Sequence, residues 1–296
     1  MSVEVVVPLH VSGIWIPRIS DNPLEAGSLG AGLNLAMYLR ARGSKGPCRI
    51  TLGGVSVLKE QAKYICSETG VNVETRALSP VSLGHGFALS AALLISHSLI
   101  SYLHVNRPLI KALQRAHTLE VQYGTGLGDV IAEHTGGFAV RVKPGAPGIG
   151  LAYRIIPREH VSLVVADLGI EEPTFRMLSK MNQEMYSRGN ILLSEVVEKE
   201  DLRIFFEFSR IFTSMLFDYS EINGFLKRVK GVIDYYLKKS ALIIWAERDF
   251  TYDIVSELRG KGIKVIPTTI SPIGVTIVYT GQSPSKTKST DKRENG

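Results

Sequence analysis

The sequence lacks a long hydrophobic run. No uninterrupted apolar stretch reaches the roughly 18–20 residues that a membrane-spanning helix needs, and the longest candidate, 88–103, is interrupted by serines and a histidine. The valine-rich N-terminus carries Glu4 and does not fit a secretory signal. We therefore expect a cytoplasmic protein without a membrane partner.

Cysteine is also scarce, because the chain contains only Cys48 and Cys66. Their spacing fits no metal-binding motif. In a reducing cytosol we expect two buried free thiols, and a disulfide between them is the alternative.

The charge balance is mildly basic. The net charge is +6, of which +2 comes from the last residues, 282–296. The remainder suits an enzyme of anionic substrates rather than a nucleic-acid-binding protein. The segment 282–296 is rich in serine, threonine and lysine without apolar anchors, so we expect a disordered tail.

Hydrophobic periodicity predicts a mixed α+β protein. The pattern predicts strands over 3–7, 13–16, 31–42, 50–52 and 71–78, helices over 57–69, 87–103 and 108–124, and a hairpin of 138–142 with 151–156. After Pro157 the pattern predicts a strand over 161–166 and a nearly continuous helix over 173–230, broken around Gly189 and 219–224. Strands over 241–245, 263–267 and 275–279 follow, with a helix over 249–259. We place an N-terminal lobe at 1–157 and a C-terminal lobe at 158–281.

The segment 80–92 follows a predicted strand and opens a predicted helix. The first N–H groups of a helix lack intrahelical partners and its dipole is positive there, so this position favours an anion. Gly84 and Gly86 let the backbone approach a phosphate closely, and Ser90 can offer its hydroxyl to a metal or a phosphate. No Gly-Lys-Ser/Thr is present, which excludes the Walker pattern. A tight turn in which Ser90 caps the helix is the alternative interpretation.

A second glycine-rich loop carries two candidate acids. Gly124, Gly126 and Gly128 alternate and lead into Asp129, a spacing that suits a backbone passing close to a ligand. Asp129 can accept a proton from a substrate hydroxyl, and Glu120 can hold Mg²⁺ through oxygen. The alternative is that Asp129 caps a turn and Glu120 faces solvent.

Together these segments resemble the GHMP kinase superfamily, which includes galactokinase, homoserine kinase and mevalonate kinase. The stretch 8–13 resembles its first motif, 84–92 its phosphate-binding motif, and 126–137 the stretch that carries the catalytic aspartate in several members. The stretch 164–174 resembles the start of the second lobe, and the glycine-rich third motif is not evident. The resemblance implies a two-lobed α+β GHMP fold, with an N-lobe like a ribosomal-protein domain and an α/β C-lobe.

A narrower resemblance is to the archaeal pantoate kinases, which act in coenzyme A biosynthesis. It is carried by His10 with Gly13 and by the stretches 27–32, 84–90 and 124–130. Leu9 and Ala88 stand where the family prefers glycine, which leaves a weakened or redirected activity open.

The resemblance implies a role for each candidate site residue. It makes Asp129 the catalytic residue and makes Ser90 and Glu120 the ligands of Mg²⁺. The ATP-binding residues that it implies are Gly84, His85, Gly86, Phe87, Ala88, Leu89, Ser90 and Ala91. The substrate-binding residues that it implies are His10, Ser28, Gly30, Thr125 and Gly126. The implied partners are ATP and pantoate, and a homodimer is compatible with the family.

Other interpretations remain open. Another GHMP kinase acting on homoserine, mevalonate or a sugar is one, and a non-catalytic nucleotide- or RNA-binding protein is another. Arg141 and Arg154 are expected as exposed strand arginines rather than ligands of a substrate carboxylate. His85 is expected to pack within its loop rather than to act as an acid or base.

Overall fold

The structure of the chain, a computed structural model, describes residues 2–280, so the predicted tail at 282–296 lies outside the described residues. The strands are β1 (Ser2–Arg18), β2 (Gly27–Lys45), β3 (Arg49–Leu52), β4 (Val55–Val57), β5 (Val73–Leu78), β6 (Phe138–Lys143), β7 (Leu151–Ile155), β8 (Ser162–Asp167), β9 (Val232–Lys238), β10 (Ala241–Ala246), β11 (Lys264–Thr268) and β12 (Thr276–Thr280). The helices are α1 (Lys59–Thr69), α2 (Leu89–His104), α3 (Leu109–Gln122), α4 (Asp129–Thr135), α5 (Thr174–Ser179), α6 (Gln183–Lys199), α7 (Leu202–Thr213), α8 (Ser220–Leu226) and α9 (Thr251–Gly260). No helix within this described part combines the length and apolar character that a membrane crossing requires.

The first sheet is built around the long strands β1 and β2. Its strand order is β12-β1-β2-β5-β3-β4, with β6 paired to β2 and β7 paired to β6. Helix α2 packs against this sheet, and most of its residues are buried, in keeping with an apolar sequence interrupted only by small or hydrogen-bonded polar residues. The first glycine-rich loop precedes α2, and the second follows α3.

Strand β1 is continuous where the sequence predicts two strands. The pairing with β2 shifts register between Pro8 and Leu9 and again between Ser12 and Ile14. The first shift leaves two residues of β2 unpaired opposite Pro8 and Leu9, and the second leaves Gly13 unpaired in β1, so both are β-bulges rather than strand ends. At Gly13 a Cβ atom would lie 2.8 Å from the Phe205 ring of α7, so the glycine admits a closely packed helix.

The two cysteines form a disulfide, Cys48–Cys66, whose Cα atoms are 6.2 Å apart. The expectation of free thiols is wrong, because the segment before β3 and helix α1 pack side by side. His97 of α2 lies beside this disulfide bond, with its Nε2 3.8 Å from Sγ of Cys66.

The second sheet has the strand order β11-β8-β10-β9. Strand β9 is absent from the sequence-based assignment. Strand β12 returns to the first sheet, where it pairs with β1. The lobe boundary near Pro157 stays a prediction, since the second sheet draws on residues 162–268 and the chain then returns to the first.

The helical region 173–230 is interrupted at other places than expected. Gly189 lies inside α6, where a Cβ atom would lie 2.8 Å from the Phe212 ring of α7, so this glycine allows two helices to pack closely. Helix α8 occupies most of the predicted break at 219–224, and the helical structure is interrupted just before α8, after α7 ends at Thr213.

Candidate active site

A cleft lies where both glycine-rich loops meet the second sheet. It brings together the predicted site residues Ser28, Gly84, Gly86, Phe87, Ala88, Leu89, Ser90, Thr125, Gly126 and Asp129. The predicted residues His10, Gly30, His85, Ala91 and Glu120 do not line it. The cleft also exposes residues that the sequence analysis did not select, above all Lys238 and Lys239.

The first loop enters α2 through three residues in the left-handed region. Gly84, Gly86 and Ala88 have φ values of +82°, +97° and +54°. Ala88 is the N-cap of α2 without a side-chain hydrogen bond, so the alternative in which Ser90 caps the helix is wrong. The left-handed φ at Ala88 explains why glycine suits this position better, since alanine adopts that region only under strain.

Gly86 is required by a protein contact. A Cβ atom there would overlap the carbonyl oxygen of Lys238 and lie 3.4 Å from Cβ of Lys239. The loop therefore packs directly on the turn that joins β9 to β10.

Asp129 lies at the start of α4, and its carboxylate faces a buried lysine. The N-cap of α4 is Gly128, and no side chain caps this helix, so Asp129 is not a capping residue. Oδ1 of Asp129 lies 3.8 Å from Nζ of Lys238. Burial acts to raise the pKa of Asp129, but the positive charge of Lys238, with that of Arg141, holds that pKa below its usual value. Asp129 is therefore ionised at neutral pH.

Glu120 is buried rather than facing solvent, and only 1% of its surface is exposed. Thr125 Oγ1 donates a hydrogen bond of 2.6 Å to Oε1 of Glu120, so this predicted substrate residue is occupied by a protein contact. Burial, reinforced by the negative charge of Asp129, raises the pKa of Glu120 to about 7. Oε2 of Glu120 has no hydrogen-bond partner among residues 2–280.

Glu133, one turn after Asp129 on α4, is fully buried. Burial raises its pKa well above the usual range, helped by the nearby charge of Asp129. Burial therefore favours the uncharged form of Glu133, whereas Asp129 is held in its charged form.

Behind the cleft wall, Arg141 is 1% exposed, so the expectation of an exposed strand arginine is wrong. Nη1 of Arg141 lies 3.1 Å from Nε2 of His10, and Nη2 donates a 3.4 Å hydrogen bond to Oγ of Ser12, which lines the cleft. Burial, with the charge of Arg141, lowers the pKa of His10 well below its usual value, so His10 is neutral. Arg154, by contrast, is exposed as expected and donates to the carbonyl of Thr135.

His85 lies in the phosphate loop but its side chain turns away from the cleft. Its Nδ1 lies 2.8 Å from Oδ1 of Asp167 at the end of β8. The contact joins the loop to the second sheet, in agreement with a packing role.

Lys238 and Lys239 are the charged residues of the cleft that the sequence patterns did not predict. Tandem lysines usually mark an exposed turn, yet these two are only 6% and 8% exposed. The available signal was the apolar stretch Val232–Lys238, which forms β9 and carries the lysines into the cleft.

Comparison with solved structures identifies the fold of the chain. A phosphotransferase related to the CoA biosynthesis pathway superimposes with a TM-score of 0.80 and 23% identity, covering 94% of this chain and 99% of that one. A putative homoserine kinase from Listeria monocytogenes gives 0.64 with 13% identity, covering 94% and 100%. A mevalonate diphosphate decarboxylase from Staphylococcus aureus gives 0.67 with 12% identity, covering 94% and 98%. The chain therefore has the GHMP kinase fold.

Comparison with curated sequences finds similarity to pantoate kinases. The chain is 32% identical to the pantoate kinase of Thermococcus kodakarensis over 179 residues, 56% of this chain and 60% of that enzyme. It is 30% identical to the pantoate kinase of Methanospirillum hungatei over 156 residues, 48% of this chain and 53% of that enzyme. The matched stretch thus spans little more than half of these relatives. No protein-family model matches the chain.

Proposed function

We propose that this chain is an ATP-dependent kinase that phosphorylates the primary hydroxyl of pantoate to give 4-phosphopantoate in archaeal coenzyme A biosynthesis. The observation that carries the proposal is the meeting of the α2 N-terminus, with Gly84 and Gly86 before it, and an ionised Asp129 in one cleft. The similarity to pantoate kinases supports the choice of acceptor.

In this proposal the N-terminal backbone of α2 and the preceding glycine loop bind the ATP phosphates. A phosphoryl-transfer transition state needs alignment and neutralisation of charge more than covalent chemistry. Asp129 orients the attacking hydroxyl and accepts its proton.

The donor set also fits Mg²⁺. Ser90 lines the cleft, and Glu120 offers the buried, unpartnered Oε2, and both are the hard oxygen donors that Mg²⁺ takes. Ser90 and Glu120 would hold the ion, which neutralises phosphate charge when bound. Glu120 is only partly ionised at neutral pH. Loss of its remaining proton would complete this site for the ion.

The acid group of pantoate requires a cationic environment. Ser12 and Ser28 line the cleft on the side of the buried Arg141 guanidinium. Among the described residues Arg141 forms no ion pair with an acid. We place the substrate carboxylate at these serines, where the charge of Arg141 would favour it.

The test is a coupled assay of ADP release with pantoate, pantothenate, mevalonate and homoserine as acceptors. We expect ADP release with pantoate alone. Release with mevalonate or homoserine instead would assign a different GHMP kinase activity, and ATP binding without release for any acceptor would favour a non-catalytic protein.

A homodimer and a cytoplasmic location accompany the proposal. Light scattering during size-exclusion chromatography tests the first, and fractionation of source cells tests the second.

A further inference from the structure

The hairpin turn between β9 and β10 presents two lysines to the cleft. Strand β9 ends at Lys238 and β10 begins at Ala241, so that the turn consists of Lys239 and Ser240. Lys239 has a φ of +56°, a left-handed conformation that glycine or asparagine adopts with less strain. Such strain in a non-glycine residue is concentrated at functional sites.

Both side chains are held close to groups of the proposed reaction. Nζ of Lys238 lies 3.8 Å from Oδ1 of Asp129 and 5.6 Å from the centre of the Trp15 ring. Nζ of Lys239 donates a 2.9 Å hydrogen bond to the hydroxyl of Thr174, which lines the same cleft. The backbone of this turn rests on Gly86, so its position is coupled to that of the phosphate loop.

The surroundings leave the ammonium group of Lys239 available. Among the described residues it forms no ion pair, and its assigned partner is the neutral hydroxyl of Thr174. A buried ammonium without a directly paired anion is costly, and a phosphate in the cleft would supply that direct partner.

We propose that the Lys238–Lys239 turn supplies the protein cations for phosphoryl transfer, an inference that rests on the proposed function. Lys239 leaves Thr174 to contact the transferred phosphoryl group and is a catalytic residue. Lys238 acts through Asp129, which it keeps ionised and oriented, and is a positioning residue. The chain thereby obtains from its second sheet the positive charge that the Walker lysine supplies in other ATP-binding proteins.

The transfer balances with these groups. The hydroxyl oxygen of the acceptor forms a bond to the γ-phosphorus of ATP, and the bond from that phosphorus to the β,γ-bridging oxygen breaks. Its electron pair stays on ADP, the hydroxyl proton passes to Asp129, and Lys239 neutralises charge on the equatorial oxygens of the phosphoryl group.

The test compares Lys239→Ala, Lys239→Arg and Lys238→Met with the wild type, and uses Lys264→Ala as a control. Lys264 is an exposed lysine on β11 of the same sheet. We expect Lys239→Ala to lower turnover by about 10²–10³, the usual loss when one preorganised charge donor is removed. Lys264→Ala should match the wild type. Turnover for a folded Lys239→Ala within about twofold of wild type, well short of that loss, would overturn the assignment.

The pH profile separates catalysis from packing. Burial, with the charge of Lys238, lowers the pKa of Lys239 to about 8, while Asp129, Glu172 and Glu120 act in the opposite direction. The wild-type kcat/KM, which reports the free enzyme, should therefore fall as the pH rises above about 8 and Lys239 becomes neutral. Arginine stays charged, so Lys239→Arg should lose this alkaline decline. An alkaline decline identical to that of wild type in Lys239→Arg would contradict the proposal.

Lys238→Met should affect the acid side of the profile. Lys238 has the largest effect among the charges that lower the pKa of Asp129, and burial acts in the opposite direction, so the pKa of Asp129 should rise when Lys238 is removed, although Arg141 and Lys239 still hold it down. As the pH is lowered, Lys238→Met should therefore lose activity at a higher pH than the wild type does. If Lys238→Met loses activity at the same acidic pH as the wild type, Lys238 does not keep Asp129 ionised.

Calorimetry that measures the affinity for a non-hydrolysable ATP analogue with Mg²⁺ separates the proposal of kinase function from the proposal for Lys239. If wild type releases no ADP with pantoate, the kinase assignment fails, while weaker binding of the analogue by Lys239→Ala would still support phosphate contact. If wild type is active and Lys239→Ala binds the analogue and turns over normally, only the lysine proposal fails. Circular dichroism identifies any variant that does not fold, and Lys239→Arg then carries the test.

Discussion

The two glycine-rich loops of the cleft look alike in sequence but use their glycines differently. In the first loop a Cβ at Gly84 would lie 2.6 Å from Cγ of Glu171, and one at Gly86 would overlap the Lys238 carbonyl. In the second loop a Cβ at Gly126 would overlap Glu120 Oε2, and one at Gly128 would lie 2.8 Å from Nε of Arg141. The first loop is glycine-rich so that it can pack against the chain beyond residue 160, and the second so that charged side chains fit beneath it.

A glycine-rich motif is therefore not sufficient evidence that a ligand binds at that position. Both loops border the cleft, yet Gly84, Gly86, Gly126 and Gly128 make close contacts with protein. The capacity to bind a ligand comes from the groups that the glycines allow to pack closely. These are the N-terminus of α2 in the first loop and ionisable side chains in the second.

The largest effect should come from the acid that the second loop presents. Asp129→Asn preserves shape but removes the proton acceptor, so we expect turnover to fall by about 10²–10⁴, with ATP binding retained. ADP release and melting temperature are to be measured on the same purified variant. Normal turnover with pantoate would exclude Asp129 as the catalytic residue.

Gly126→Ala should give the next largest loss. The new Cβ would overlap Glu120 Oε2 and lie 3.1 Å from Asp129 Oδ2, displacing both carboxylates. A displacement of about 1 Å at a reacting group costs up to roughly 10²-fold, so we expect turnover to fall about 10- to 100-fold. If turnover is normal while stability falls, the glycine serves packing alone.

Gly86→Val tests the first loop, where we expect stability and ATP affinity to change together. The residue has a φ of +97°, and its Cβ would meet the Lys238 backbone. Left-handed strain should cost about 1–3 kcal/mol of unfolding free energy, and displacement of the loop should weaken ATP binding. Denaturant titration and calorimetry measure the two quantities, and unchanged ATP affinity in a folded variant would remove this loop from the site.

Gly124→Ala should have the smallest effect and serves as the matched control. No atom would lie within 4 Å of its Cβ, although its φ is +65°. We expect a loss of about 1–2 kcal/mol from the left-handed conformation and unchanged turnover. A loss of turnover comparable to that of Gly126→Ala would show that the two glycines are not distinct.

Local sequence patterns were sufficient to predict both loops. The helix following Gly86 and the acid following Gly128 are read from neighbouring residues, and both fall in the cleft as expected. The helix that ends before Gly70 is also confirmed, because a left-handed C-cap is a local signal.

The burial of charged residues could not be read in this way. Glu120 and Arg141 were expected at the surface or left undecided, since their burial depends on packing across distant segments. The same limit applies to Lys238 and Lys239, which enter the cleft only because the second sheet folds against a loop some 150 residues earlier. The break expected at Gly189 failed for a related reason, because that glycine contacts Phe212 of another helix.

The Cys48–Cys66 bond has a consequence for chains that have been cut. Between the two cysteines lies the exposed turn of Gly53 and Gly54, followed by Val55 at 67% exposure. A protease acting there would separate the piece that carries Ser28 from the piece that carries Asp129. The sulfur bridge would keep both pieces in one covalent molecule, which would migrate as a single species on a gel until a thiol reductant released the two fragments.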